Sequence, residues 1–317
     1  MSTKPTVLTI GLHIADILGR PVEKIPEGQG LALLDEIRMT VAGTGAATAM
    51  DLARLGVSVG TYAVVGDDVL GRWLTGALSE DGVNVSGIQV DPEVPTSATM
   101  LPIRPNGERP ALHVIGANAR VSSDLINWDS VPDAQHLHLG GSLLLERIDG
   151  PPTAELLEKA QQKNLTTSLD IIGFPGQDYE YVFGEAYQFI DYLLINDDDA
   201  ALLSGQKDVS TAIEWFLNRG VKTCAITVGP QGALVRSQDD QEFRVPAYAV
   251  EVIDTTGCGD AFSAGFIAGL NWGASVRDSA EWGVAMGSFT ARALGSDASP
   301  RSRAELEDFR QSTPRLI

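Results

Sequence analysis

An α/β fold, a doubly wound and mainly parallel sheet with helices on both faces, is what the sequence predicts, on three observations. Short β-branched runs alternate with helical patterns along most of the chain, the signature of a parallel sheet covered on both sides. A hydrophobic content of 44% with 33 glycines supports a substantial core crossed by many tight turns. A length of 317 residues suits one large α/β domain with an appendage as well as two smaller units.

In order, residues 7–10 read as a strand, 45–55 as a small-residue helix closed by Gly56, and 58–65 as a strand. Residues 69–79 follow as a helix and 83–90 as a strand. Beyond the middle, 153–163 is a helix, 166–172 a strand, and 192–195 a short strand entering a helix at 197–203. A helix over 210–219, a strand over 224–228, a strand-like run over 244–252 and an apolar helix over 261–270 continue the alternation. Two stretches break it. Residues 16–40 lack a clean helical period, and 96–115 carry the turn Pro105-Asn106-Gly107 between apolar runs, a hairpin signal. By itself this hairpin fits an added small sheet or the edge of the main one equally well.

The charge balance of 23 basic against 42 acidic residues, net −19, argues against a nucleic-acid partner and against docking on an anionic membrane. No apolar run is long enough to span a bilayer, and the run at 7–10 is too short for a signal segment, so the expected location is cytoplasmic. Cys224 and Cys258 form no paired motif and read as reduced thiols. His136 and His138 share one strand face without a third ligand, which does not make a metal site.

The most informative segment is Val252-Ile253-Asp254-Thr255-Thr256-Gly257-Cys258-Gly259-Asp260-Ala261-Phe262. Gly257 and Gly259 leave backbone N–H groups unobstructed at a helix start, where orphan donors and the macrodipole favour an anion. Asp260 stands in the first turn. A carboxylate beside a bound phosphate is repelled unless it has a chemical role, and general base is the obvious one. A helix cap is the plainer alternative. Cys258 is either a small residue that fits under a phosphate or a thiol whose pKa the helix start lowers. No Gly-x4-Gly-Lys-Ser/Thr loop occurs, so phosphates would need another cradle.

Residues 254–260 match the signature Asp-Thr-x-Gly-x-Gly-Asp position for position, and in this the chain resembles the ribokinase-like (PfkB) carbohydrate kinases. The resemblance implies a ribokinase-like fold with a small β-sheet lid and MgATP as phosphoryl donor. It also implies that Asp260 takes the proton from a substrate hydroxyl. The amides of Gly257, Cys258 and Gly259 would form an anion hole for the transferred group.

Weaker motifs follow in the same order between about residues 6 and 300. Gly11-Leu12-His13-Ile14-Ala15-Asp16 is similar to the family's strand and sugar-holding Asp, nominating Asp16. Ala42-Gly43-Thr44-Gly45-Ala46-Ala47-Thr48-Ala49 resembles the first glycine signature, which implies Gly43, Thr44 and Ala47 at the sugar. Ala47 replaces an Asn there and cannot hydrogen-bond a hydroxyl. Val64-Val65-Gly66-Asp67-Asp68 looks like a structural segment with Asp67 as a helix N-cap. Residues 96–118 resemble the lid hairpin and the Gly116-Ala117-Asn118 after it, which implies Asn118 at the sugar. One domain over 1–317 is then expected, with a lid from about 16–40 and 96–116. Asn196-Asp197-Asp198-Asp199 is similar to Asn-x-x-Glu, implying Asn196 near the nucleotide and Asp199 organising Mg²⁺ through water. Thr227-Val228-Gly229-Pro230-Gln231-Gly232 implies Thr227, Gly229 and Gly232 near ATP, and Ala285 lies in the helix implied beside the adenine. Asp254 and Thr256 are the residues the resemblance places around a potassium ion.

The expected acceptor is a hydroxyl, primary in the simplest case, of a small neutral sugar such as ribose or fructose, since no basic cluster lies near Asp16. Alternatives are a nucleoside kinase, a catalytically silent sugar-binding regulator, and a keto-deoxy sugar acid kinase reading its carboxylate with Arg104 and Arg109. A nicotinamide-dependent oxidoreductase is a further rival, although Gly43-Thr44-Gly45 lacks the third glycine and the later acid that such a loop needs. Exposed lid edges make a homodimer the expected assembly.

Overall fold

The computed structural model describes residues 5–106 and 108–316. The chain enters through β1 (Val7–Gly11), leaves for β2 (Ile14–Arg20) and β3 (Glu36–Ala42), and returns through α1 (Thr44–Arg54) to β4 (Val59–Gly66), α2 (Val69–Glu80) and β5 (Asn84–Asp91). A second excursion, β6 (Ala98–Pro102) and β7 (Leu112–Val114), precedes β8 (His136–Ser142), α3 (Pro151–Gln162), β9 (Thr166–Ile171) and α4 (Tyr179–Phe183). Next come β10 (Tyr192–Asn196), α5 (Asp197–Ser204), α6 (Val209–Leu217), β11 (Thr223–Thr227), β12 (Ala233–Ser237) and β13 (Phe243–Val245). Three helices close the chain: α7 (Cys258–Asn271), α8 (Val276–Thr290) and α9 (Arg303–Ser312).

The main sheet runs β13-β12-β11-β10-β9-β8-β1-β4-β5. Every pair from β11 to β5 is parallel, and β12 and β13 are added antiparallel at the edge. Its central strands are buried on both faces, as β1 shows from Val7 to Gly11. One face packs Leu8, Leu139 and Leu169 against α3, α4 and α6 through Leu157, Phe183 and Phe216. The other packs Val7 and Val59 against α1, α2, α7 and α8 through Leu52, Leu74, Phe266 and Met286.

The two excursions meet in a separate four-stranded sheet, ordered β3-β2-β6-β7. The 96–115 hairpin therefore belongs to this small sheet, with Met100 opposite Leu112. Gly107 of the expected turn lies outside the described residues. The small sheet has two unlike faces. One carries the row Thr40, Asp16, Thr99 and His113 across its four strands, and the other the row Met39, Ile17, Met100 and Leu112. Leu18, Leu101 and Ile103 pack on Leu294 of the loop after α8, which seats the first face over the main sheet.

Two local expectations are corrected. The run 244–252 is not one strand: Phe243–Val245 pairs with β12, the ladder stops at Pro246, which has no N–H for it, and Tyr248 makes an isolated antiparallel bridge to Arg315. The Tyr248 N–H is taken by Ser288 Oγ at 3.2 Å. The cap of α2 is Asp68, not Asp67. Asp68 Oδ1 accepts from the Gly71 N–H at 2.8 Å, while Asp67 is exposed and faces Arg72. Asp68 also accepts from the Thr96 N–H and hydroxyl, so this cap ties the small sheet's β6 to the main body.

Candidate active site

The carboxyl ends of the parallel strands are where an α/β sheet leaves room for a ligand, and the nominated residues gather there. Asp16 of β2 is buried near enough to Asp260 for its charge to be felt there, and Asn196 and Thr227 end β10 and β11. The loop 254–257 leads into α7 opposite them.

Gly257 is the N-cap of α7 with φ of +76°, a left-handed conformation that lets the chain turn sharply into the helix. No side chain caps this end. Gly259 is exposed, and a Cβ placed on it would meet nothing within 4 Å, so the first turn is open from above. The Cys258 N–H keeps a long 3.3 Å bond to Thr255 O. Asp260 is the third residue of the helix and is not its cap. Its carboxyl is crowded by protein while an edge of the residue stays open to solvent. Burial, then the charges of Asp51 and Asp16, push its pKa upward. The arrangement is a helix start that can take an anion, with a proton acceptor of raised basicity beside it.

Cys258 is not an activated thiol. Burial, then Asp254 and Asp260, push its pKa up to about 12, outweighing any help from the helix start. It fits the small-residue alternative.

On the small sheet, burial raises the Asp16 carboxyl to about 6, partly opposed by a hydrogen bond from Thr99. Asn118 Oδ1 accepts from the His13 N–H at 3.1 Å, and its Nδ2 has no partner among the described residues. The same holds for Thr44 Oγ1. These two buried groups, with Asp16, are the polar atoms a hydroxylated ligand could satisfy. Gly43, with φ of +88°, lets the chain reverse from β3 into α1 against Leu12 O, where a Cβ would come within 2.5 Å. Ala47 of α1 is fully buried and offers no hydrogen-bonding side chain. Ala285 of α8 is buried in the core cluster that also holds Phe262 and Phe266 of α7.

Asn196 caps α5, accepting from the Asp199 N–H at 2.8 Å and donating to Asp199 Oδ2 at 2.6 Å. Asp199 also accepts from the Gly173 N–H, and burial lifts its carboxyl to about 6. Sequence reasoning missed Asp170, the Asp at the carboxyl end of β9. Its carboxyl is raised by burial, then by the nearby charges of Asp260 and Asp199. A lone acid in an apolar strand end was the available signal. Among the described residues no three acidic, His or Cys side chains converge to chelate a metal. A divalent cation beside Asp170 and Asp199 would therefore be held largely through water and substrate phosphates. Thr227 is half-buried, and the turn Gly229–Gln231 stands open beside it, with Gly232 closing the turn at φ of +87°.

The loop after α8 braces this centre. Arg38 of β3 donates to Leu294 O and Asp297, Arg54 of α1 to Asp297 O and Ser299, and Ser296 Oγ to Val41 O. Asp51 of α1 accepts from Ser299, and burial pushes its carboxyl to about 7. Asp254 accepts from the Thr256 N–H and hydroxyl at 2.9 and 2.8 Å, from the Gly295 N–H at 2.9 Å, and from Arg109. Burial alone would raise it, but the Gly295, Thr256 and Arg109 donors hold it below the usual carboxylate range.

A family model described as pfkB family carbohydrate kinase matches residues 4–303. An ATP-dependent ribose-1-phosphate kinase from Halopiger xanaduensis is 31% identical over 287 residues, 89% of this chain and 91% of the relative. A ribokinase from Haemophilus influenzae is 24% identical over 278 residues, 86% of this chain and 88% of the relative. The structure of an Arabidopsis thaliana ribokinase complexed with ribose and ATP superposes with a TM-score of 0.84 at 21% identity, covering 98% of this chain and 99% of that one.

Proposed function

The chain belongs to the pfkB family of carbohydrate kinases, ATP-dependent enzymes acting on sugars, and on that premise we propose that it moves the γ-phosphoryl of MgATP to a hydroxyl of a small neutral sugar such as ribose or fructose, with Asp260 as base. The observation that carries this reading is the open α7 start: Gly257 and Gly259 beneath, Asp260 beside, and Asp16 near enough for its charge to be felt there. Asp260 accepts the proton of the acceptor hydroxyl as its oxygen bonds to the γ-phosphorus. The bond from phosphorus to the β,γ-bridging oxygen breaks and ADP leaves. The α7 amides take the charge on the transferred oxygens. Asp16, Thr44 and Asn118 orient the sugar, and Asn196, Thr227 and the 229–232 turn flank the nucleotide. Asp170 and Asp199 are the acids that would hold Mg²⁺, which would neutralise charge on the nucleotide phosphates. The small sheet acts as a lid on one continuous domain, excluding the water that competes as acceptor.

A neutral sugar is favoured because the arginines nearest the cleft are already engaged. Arg38 pairs with Asp297 at 2.8 Å, Arg104 donates to Glu23 O, and Arg109 pairs with Asp254. Arg109 is thus not free to read the carboxylate of a sugar acid. A second reading, a phosphorylated pentose, is favoured by the 31% identical ribose-1-phosphate kinase. The test is ADP release with pentoses, hexoses, sugar acids, sugar phosphates and nucleosides. Turnover of ribose or fructose is expected; turnover restricted to sugar phosphates selects the second reading, and none with any acceptor overturns both.

Because the Asp260 pKa is raised to about 7, turnover should rise with pH as the carboxyl loses its proton. A kcat profile still flat from pH 5 to pH 8 would contradict this role.

The outward face of the lid presents Met100 and Leu112, each 54% exposed, beside Met39 and Ile17. A second copy of the same face would cover this row, and the chain is expected to sediment as a dimer that Met100→Asp dissociates. Wild-type protein sedimenting as a monomer at assay concentration would refute it. Among the described residues no helix is long and apolar enough to cross a membrane.

A further inference from the structure

Arg109 sits in the connection between β6 and β7, on the lid, and reaches across the cleft to the loop that precedes α7. Its Nη1 donates to Asp254 Oδ1 and its Nη2 to Thr255 Oγ1 at 3.2 Å. Asp254 has a side chain only 1% exposed, while that of Arg109 is 27% exposed. A sealed carboxylate requires a neutralising charge. In the resemblance that charge belongs to a potassium ion beside Asp254 and Thr256. Here the positive contact is already made by protein: Oδ1 takes the Thr256 N–H, the Thr256 hydroxyl and the guanidinium, while Oδ2 takes the Gly295 N–H. The guanidinium is the positive group in direct contact, so the residues present do not fit a cation site of that kind.

We propose that Arg109 does the work of the monovalent cation, so that the charge organising the α7 start is delivered by the lid itself. The consequence is mechanical. Asp254 holds Thr256 on one side and Gly295 on the other, and these flank Gly257. When the lid lifts, the guanidinium leaves, and the loop beneath the transferred phosphoryl group loses its counter-charge. A second lid arginine, Arg38 on β3, grips the same region from its other side through Leu294 O and Asp297. Closure over the sugar and completion of the anion-binding turn thereby become one event. Arg109 acts through Asp254 and is a positioning residue, and its role rests on the kinase reading above.

The test uses the purified full chain in KCl and in choline chloride at equal ionic strength, with two readouts. ADP release is measured with the sugar turned over in the acceptor screen, and the thermal midpoint is measured without sugar. The wild type should run at the same rate in both salts, within about twofold, whereas Arg109→Ala should lose about tenfold or more in kcat in choline. That loss should be recovered in part by millimolar guanidinium or by potassium, and Arg109→Lys, which keeps the charge without the two-pronged contact, should fall between. The midpoint of the Ala variant should drop in choline and recover in KCl, while the wild-type midpoint is the same in both. Potassium stimulation of the wild type by about tenfold, an Ala variant with wild-type kcat in choline, or a loss that neither ion rescues would each overturn the proposal. If the wild type phosphorylates no acceptor, the kinase reading fails by itself. The midpoints still decide the Arg109 assignment: a wild-type midpoint raised specifically by potassium overturns it.

Discussion

Asp260→Asn is expected to abolish turnover while leaving the fold and MgATP binding intact. The substitution keeps the size and one acceptor oxygen of the side chain but removes the group that can take a proton, and a positioned general base contributes about 10²–10⁴-fold. Stability should move the other way. Asp260 is crowded by Asp51, Asp16 and Asp170, and its folded-state pKa is raised to about 7, against an ordinary value of 3.8. Between those values the folded chain holds a proton that the unfolded chain has lost, so the stability linked to it fades as pH rises through about 7. Asn carries no such charge. The variant should therefore melt at or above the wild-type temperature at pH 8 and show little difference at pH 4, where the wild-type side chain is also neutral. An inactive variant that melts higher at pH 8 separates catalytic loss from misfolding. Near-normal ADP release with the best acceptor would remove Asp260 from the mechanism.

What could be read in the chain without its structure follows from how local each signal is. The segment 254–260 was legible because a glycine turn, an acid and the start of an apolar helix lie within one continuous stretch, although α7 begins at Cys258, three residues before the expected 261. The alternation of strands and helices was legible for the same reason, and it placed most elements from β1 to β11 near their observed bounds. Features made by distant residues were not. Arg109 and Asp254 are 145 positions apart, and nothing around Arg109 distinguishes it from a solvated loop charge. Asp170 has only an apolar strand for context, and its character comes from Asp199 and Asp260 on other elements. The Asp51 and Arg54 clamp on Ser299 joins a helix to a loop some 250 positions later. At Cys258 the helix start favours a lowered thiol pKa, but burial beside two carboxylates outweighs it, which agrees with the small-residue alternative.

Gly257→Ala should be nearly as damaging as loss of the base, for a steric reason that can be isolated. At φ of +76° an L side chain costs about 1–2 kcal/mol, and its Cβ would stand 2.6 Å from Ser296 Cα. Ser296 cannot yield. Its hydroxyl is tied to Val41 O at 2.7 Å, its neighbour Gly295 donates to Asp254, and Arg54 holds Asp297 O at 2.9 Å. The strain must then fall on the α7 start, displacing the amides from the oxygens they would stabilise, a change worth about 10²–10³-fold in kcat by analogy with loss of one oxyanion donor. Gly259→Ala is the matched comparison. That residue is helical and a Cβ there meets nothing within 4 Å, so the fold should gain up to about 1 kcal/mol. Any activity it loses would come from crowding the phosphoryl group itself. Thermal melts therefore divide the two variants, Gly257→Ala down and Gly259→Ala level or up, while ADP release should fall in both. If Gly257→Ala kept both its melting temperature and its kcat, the loop against Ser296 would have to be freer than its hydrogen bonds allow.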